Sequence, residues 1–211
     1  MKYAGLREEY KQSTLVESDL LDSPFALFEK WFDEAKSIDP KDANAMVLST
    51  LGADGFPHGR VVLLKGVDSG FVWFTNYLSQ KAQDLDLNHK ASLTFWWPAV
   101  ARQVRVTGIV GKIDDLESDE YFQSRPRGSQ AGAIASIQST KIEGRAGLEN
   151  AYQQLMALPE DEAFERPKHW GGYRLIPQYF EFWQGRESRL HDRLYYELTN
   201  GQVWEMGRLS P

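Results

Sequence analysis

The sequence predicts an α+β fold built around a closed or partly closed antiparallel β-barrel. Three observations carry this expectation. Short β-rich segments separated by turn residues fill much of the first half and the last quarter of the chain, while helical periodicity is inserted mainly as one block between them. Aromatic residues make up 13% of the chain, with seven Trp, which suits packed strands. At 211 residues one sizeable core is the natural arrangement. We expect residues 1–20 to form a mobile N-terminal arm and residues 21–211 a single domain.

Taken in order, "DSPFALFEKWFDEAKSI" reads as a helix, with Ser23 as N-cap, Pro24 at the first helical position and Phe25, Phe28, Phe32 and Ala35 as its apolar stripe. The stretch "AMVLSTLGADGFPHGRVVLLKGVDSGFVWFT" holds three β-rich segments parted by "GADG" and "VDSG", the first two forming a hairpin. A short helix, "SQKAQDLDLNHK", follows, with Ser79 as its cap. "ASLTFWW" and "RQVRVTGIVGKI" are two further strands broken at Pro98. The block "DLESDEYFQSR", "SQAGAIASIQS" and "IEGRAGLENAYQQLMAL" is helical, and strands return from Tyr173 to Leu209. In "ESRLHDRLYYEL" strand alternation would send Arg189, His191 and Arg193 to one face. The alternative for that row is a solvated face of an edge strand.

Composition narrows the function. With no cysteine there are no disulfides or thiolate metal sites. The first residues lack the apolar core of a signal peptide and no run approaches the ~20 apolar residues of a membrane span, so a cytoplasmic protein is expected. A net charge of −6 argues against a nucleic-acid partner, so basic clusters are expected to be local and aimed at small anions. The phosphate-loop, dinucleotide-fold and zinc-protease motifs are absent, and His58, His89, His169 and His191 show no metal-ligand spacing. Nothing supports covalent hydrolase chemistry.

What remains are cations beside hydroxyl, amide and aromatic groups. In "GRVVLLK", Arg60 and Lys65 are five apart and so face opposite sides of a strand, serving two anions or one anion and solvent. In "FTNYLSQK", Thr75, Ser79 and Lys81 surround a helix start, which is either an anion site or an ordinary cap with a solvated lysine. In "YFQSRPRGSQ", Tyr121 and Arg125 share a helical face and Ser129 follows. That set is either a clamp for a phosphate monoester or a helix exit with a surface arginine. "EFWQG" places Trp183 upstream of the Arg-His-Arg row, as an aromatic wall or as core.

Taken together, "RVVLLK", "FTN…SQK", "RQVRVTG", "YFQSRPRGSQ", "IQS", "EFWQG", "RLHDR" and the terminal "RLSP" strongly resemble the pyridoxamine 5′-phosphate oxidases, from about Leu6 to Pro211. The resemblance implies an FMN-binding split β-barrel with peripheral helices, working as a homodimer with FMN across the subunit interface. It implies oxidation of pyridoxamine 5′-phosphate and pyridoxine 5′-phosphate by O₂ to pyridoxal 5′-phosphate, by hydride transfer from C4′ to flavin N5.

By position, the resemblance assigns FMN binding to Arg60, Val61, Val62, Leu63, Leu64, Lys65, Phe74, Thr75, Gln80, Lys81, Gln103, Gln138, Ser139, Trp183 and Arg193. Arg60, Lys81 and Ser139 are the phosphate ligands among them. Substrate binding falls to Arg7, Tyr10, Lys65, Tyr121, Arg125, Ser129, Arg189, Leu190 and His191, with Arg189 and His191 catalytic at the ring and Asp42 an acidic residue nearby. Gln80 stands where many relatives have Arg, and Phe74 where they often have Tyr. Two rivals are a related split-barrel flavin oxidase acting on another reduced ring, such as one of the phenazine branch, and a non-catalytic FMN or pyridoxal-phosphate carrier. The Tyr121–Arg125–Ser129 clamp argues against the first, and His191 with Arg189 against the second.

Overall fold

The computed structural model describes Tyr10 and residues 14–211. The first helix, α1, runs Pro24–Ile38 and buries Leu27, Phe28, Trp31 and Ala35. Phe28 meets Phe71 edge-on at 4.8 Å and Phe95 at 5.0 Å between centroids, and Trp31 meets Phe182 edge-on at 5.2 Å, so one helical face enters an aromatic core. Pro24 sits at the first helical position as expected, but Ser23 makes no side-chain capping bond.

The strands are β1 (Ala45–Leu51), β2 (Pro57–Leu63), β3 (Gly66–Val67), β4 (Phe71–Asn76), β5 (Lys90–Trp97), β6 (Arg102–Lys112), β7 (Trp170–Gln184), β8 (Asp192–Thr199) and β9 (Val203–Leu209). Among the described residues they form one antiparallel sheet in the order β2-β1-β5-β6-β7-β4-β3, with β8 and β9 continuing from the second half of β7. The 15-residue β7 makes this branching possible: its first half pairs with β4 and its second with β8, while β6 runs along its other edge. The sheet curls, helped by a bulge at Thr107/Gly108, where any Cβ on Gly108 would collide with the carbonyl of Ile176.

Residues in register share a face. The row Leu48, Leu93, Val106, Phe180 and Tyr196 is fully buried inside the curl. On the opposite face lie the rows Val61, Val47, Thr94, Arg105, Glu181, Tyr195 and Trp96, Gln103, Trp183, Arg193. That outer face leaves Val61 66%, Leu63 46% and Trp96 45% exposed in a single chain.

The helices are α2 (Gln80–Leu87), α3 (Asp115–Ser124), α4 (Arg127–Ala135) and α5 (Ala146–Met156). The first β-run therefore contains four strands rather than three. The segment expected as a helix through Ser139 ends at Ala135, which frees Gln138 and Ser139 to form a loop. Arg125 lies just past the end of α3 in extended backbone, so it does not continue a helical face with Tyr121. The strand β2 stops at Leu63, so strand alternation no longer governs Lys65.

The predicted Arg-His-Arg strand is corrected most. Glu187–Arg189 form a 3₁₀ turn in which Ser188 and Arg189 hold φ of 55° and 61°. β8 starts only at Asp192, whose carboxylate is captured by the Leu15 amide at 3.1 Å, by Arg186 at 2.9 Å and by Arg208 at 2.8 Å. These long-range bonds set where the strand begins. Arg189 and His191 precede it, and only Arg193 belongs to the sheet face. No described helix is long and apolar enough to cross a membrane.

Candidate active site

A cleft of about 690 Å³ opens beside the edge strand β2. Its lining includes Arg60, Val61, Val62, Leu63, Lys65, Phe74, Thr75, Gln80, Lys81, Gln138 and Ser139 from the expected cofactor set, and Tyr121, Arg125 and Ser129 from the expected substrate set. Leu64 is the exception in the "RVVLLK" run: it is 6% exposed, turned into the core, and lines no part of the cleft. Arg60 and Lys65 open onto this one cleft rather than onto opposite sides.

One end of the cleft is a cationic cradle. At the start of α2, Lys81 is buried, and its Nζ donates to Gln138 Oε1 at 2.7 Å and to Thr75 Oγ1 and Ser79 Oγ at 3.1 Å each. No described carboxylate pairs with it. Burial, then the neighbouring Arg60, brings its pKa down to about 8. Ser79 faces this lysine rather than capping its helix. Ser139 takes the left-handed conformation, φ 72°, and its Oγ accepts the Gln80 amide at 3.2 Å, which docks the 136–139 loop on the helix start.

Arg60 is held from behind. Its NH1 donates to Thr50 Oγ1 at 2.7 Å and to the Leu48 carbonyl at 3.3 Å, and its NH2 stands 3.6 Å from Asp84 Oδ2. Asp84, 1% exposed, receives Thr50 Oγ1 at 2.7 Å, His58 Nδ1 at 2.9 Å and Gln80 Nε2 at 3.0 Å. Burial pushes its pKa up, but the bonds from Gln80, Thr50 and His58 outweigh that and hold it below the ordinary carboxylate range.

The other end of the cleft is aromatic. The Tyr121 ring stacks on Phe74 at 3.8 Å between centroids, and Phe74 stacks on Trp170 at 5.6 Å. Arg125 lies over the Trp170 ring at 4.5 Å. Its NH1 is buried without a hydrogen-bond partner among the described residues, and burial lowers its pKa. A cation with an unanswered donor, in a lining that also holds Tyr121 and Ser129, has the chemistry to accept an anion.

Gln103, Trp183, Arg189, His191 and Arg193 do not line this cleft. They form a second cluster at the outer face. Trp183 is 4.6 Å from the His191 ring and 5.9 Å from Trp96, and it is in register with both Gln103 and Arg193. Tyr10 adds an edge contact to Trp183 at 5.8 Å and to His191 at 6.0 Å. Arg193 is anchored by the buried carboxylate of Glu181 at 2.9 Å and the Ser210 carbonyl at 2.9 Å. His191 Nδ1 accepts the Arg186 amide at 3.1 Å, so the neutral ring carries its proton on Nε2. Burial and then Arg189 keep the pKa of that ring below its ordinary value. Arg189 and Leu190 are exposed, as is Asp42, which lies ahead of β1 and outside the cleft. Arg7 lies outside the described residues.

Sequence reasoning passed over Trp170, Asp84, His58 and Glu181. All four are placed by register or long-range contact, and the only local sign was the aromatic-Gly-Gly step at Trp170.

The residues present fit FMN at the cradle: an uncompensated buried lysine, a braced arginine and a loop hydroxyl suit a monophosphate. Residues 33–157 match the family model described as pyridoxamine 5′-phosphate oxidase, and residues 170–211 match the pyridoxine 5′-phosphate oxidase C-terminal dimerisation region. The chain is 52% identical over 209 residues to a pyridoxine/pyridoxamine 5′-phosphate oxidase of Synechocystis sp., covering 99% of this chain and 97% of that one. It is 51% identical over 212 residues to the enzyme so named from Bordetella pertussis, covering all of both chains. Among solved structures, PhzG from Burkholderia lata in complex with tetrahydrophenazine-1-carboxylic acid superposes with a TM-score of 0.88 at 29% identity, over 95% of this chain and 99% of that one. A pyridoxamine 5′-phosphate oxidase-related FMN-binding protein from Nostoc punctiforme shares the fold, with a TM-score of 0.72 at 15% identity over 91% of this chain and 100% of that one. This chain belongs to the pyridoxine/pyridoxamine 5′-phosphate oxidase family.

Proposed function

We propose that the chain oxidises pyridoxamine 5′-phosphate and pyridoxine 5′-phosphate to pyridoxal 5′-phosphate with O₂ as the terminal oxidant, in the cytoplasm, at sites each completed by two copies. The observation that carries this reading is that Arg125, whose buried NH1 has no hydrogen-bond partner among the described residues, lines the same cleft as Lys81 and Arg60. One cleft with two separate phosphate-accepting ends suits a phosphorylated cofactor lying beside a phosphorylated substrate.

FMN, when bound, supplies the two-electron acceptor and the reaction with O₂ that restores it. The protein supplies position and charge. Arg60, Lys81 and Ser139 would hold the flavin phosphate, with Thr75, Gln138 and Gln80 around them. Arg125, Tyr121, Ser129 and Lys65 hold the substrate phosphate, so the ring can pivot about one fixed end only. The Trp183 cluster of a second copy covers the open side of the cleft and excludes water. From that cluster, Arg189 and the Nε2–H of His191 would meet the substrate ring, and Arg193 would lie against the flavin as a fixed cation. Cations fixed in a dry site act on developing charge with no reorganisation cost. No residue of the site is needed as a covalent nucleophile.

The test is to incubate the FMN-loaded protein in air with pyridoxine 5′-phosphate, and separately with pyridoxamine 5′-phosphate, following pyridoxal phosphate absorbance and peroxide. Stoichiometric appearance of both products is expected. No pyridoxal phosphate from either substrate overturns the reading.

A further inference from the structure

Arg125 differs from most of the described arginines of this chain. Arg60, Arg102, Arg166, Arg174, Arg193 and Arg208 each face a carboxylate. Among the described residues Arg125 has no ion pair and its buried NH1 no hydrogen-bond partner; its described neighbours are aromatic, Trp170 at 4.5 Å and Phe122 at 6.0 Å. A long side chain with four rotatable bonds needs something to fix it. A carboxylate would do so, but it would compete directly with an incoming phosphate dianion. An indole face attracts the guanidinium without competing for its N–H donors.

The indole is itself firmly placed. Trp170 is paired with Asn76 at the start of β7, its amide donates to the Pro167 carbonyl at 2.9 Å, and its carbonyl receives Arg166 at 2.7 Å. Its plane lies within 14° of Phe74 and 6° of Tyr121, so the three rings form one parallel set carrying both the Tyr121 hydroxyl and the Arg125 guanidinium.

We propose that Trp170 is a positioning residue for the phosphate-ester substrate: its indole face presents the Arg125 guanidinium to the ester in place of a competing carboxylate. The inference rests on the reading of Arg125 as a substrate-phosphate ligand given above. It assigns to Trp170 the part that Asp84 plays for Arg60 at the cofactor end, by different chemistry.

The experiment compares Trp170→Leu and Trp170→Phe, each alone and combined with Arg125→Ala, in the FMN-loaded protein. It reads KM and kcat for pyridoxine 5′-phosphate and the inhibition constant of inorganic phosphate. Trp170→Leu should raise KM and the phosphate inhibition constant together by about 3–30-fold, with a much smaller change in kcat. Trp170→Phe, which keeps a π-face, should recover most of that loss. In the Arg125→Ala background neither substitution should weaken phosphate binding further. Equal losses with and without Arg125, or a fall in kcat alone, overturns the inference. Should Trp170→Leu fail to fold, Trp170→Met, which also lacks a π-face, reads the same loss across the same two backgrounds. If Arg125→Ala itself leaves phosphate binding intact, the underlying reading of the clamp fails instead.

Discussion

His58 Nδ1 lies 2.9 Å from Oδ2 of Asp84, a buried carboxylate that also receives Thr50 and Gln80 and stands 3.6 Å from Arg60. Asp84 thereby joins His58 to Arg60 and Gln80, which line the cleft. Asp84→Asn keeps the volume but turns one acceptor into a donor, leaving at least one of these donors unanswered in a buried place. That costs about 1–3 kcal/mol, or roughly 3–10 °C of melting temperature for a chain of this size. Thermal melts of the FMN-free protein check this, and an unchanged melting temperature would contradict it.

The same pair gives stability a pH dependence with a definite sign. The hydrogen bond to Asp84 raises the pKa of His58 above 6.5, so its contribution is complete below 6.5 and is lost as pH rises through the folded value. Asp84 is lowered from 3.8, so its contribution is present above 3.8 and is lost as pH falls through its folded value. The difference in melting temperature between wild type and His58→Asn should therefore be largest between these limits and shrink as pH rises further above 6.5. A difference that grows with pH would show that the ring is not held protonated by Asp84.

Lys81 titrates in the opposite sense. With its pKa lowered to about 8, it is more readily deprotonated in the FMN-free protein than in the unfolded chain, so this group adds stability as pH rises from about 8 to 10.5. Phosphate needs the ammonium form. FMN affinity should therefore weaken as pH rises above about 8, by up to tenfold per unit. Lys81→Met should bind FMN about 10–150-fold more weakly and lose that pH dependence. Quenching of flavin fluorescence on titration of the FMN-free protein measures both.

Much of the fold was legible because its signals are local. Pro24, Phe28 and Ala35 of α1 needed nothing beyond the helix itself, though Leu27 and Trp31, outside the expected stripe, are buried while Phe25 and Phe32 are only partly so, and the β1–β2 hairpin is marked by its turn. The failures lie where distant contacts decide. Alternating Arg189, His191 and Arg193 looks like a strand, yet the Leu15 amide, 177 residues away, fixes Asp192 as the strand's first residue. Left-handed Ser188 and Arg189 carry no Gly or Asn to announce the turn. The cleft draws on β2, β4, α2, α3, α4 and a loop, so it became visible as one site only through the family resemblance. Trp170 and Asp84 reach it by strand register and helix packing, which no local pattern displays.

Arg125 and Arg189 should separate kinetically. Arg125→Ala removes a charge-assisted contact made equally in ground and transition states, so KM should rise about 30–150-fold with kcat much less affected. Arg189→Ala should lower kcat as well, because charge develops at the substrate ring during oxidation. Anaerobic single-turnover reduction of bound FMN at saturating substrate reads this without the oxygen step. Wild-type reduction in Arg189→Ala together with slow reduction in Arg125→Ala would reverse the assignment.

The central claim is that one active site is assembled from the cleft of one copy and the Trp183 cluster of another. Co-refolding equal amounts of Arg125→Ala and Arg189→Ala, each assayed at substrate concentrations where it alone is nearly inactive, tests it directly. If the site is shared, half of the dimers are mixed and each contains one site with neither substitution, so activity should recover to about a quarter of the wild-type value. If each chain carries a complete site of its own, every site in the mixture keeps one substitution. Activity then stays at the average of the two parents, and that result would contradict the account.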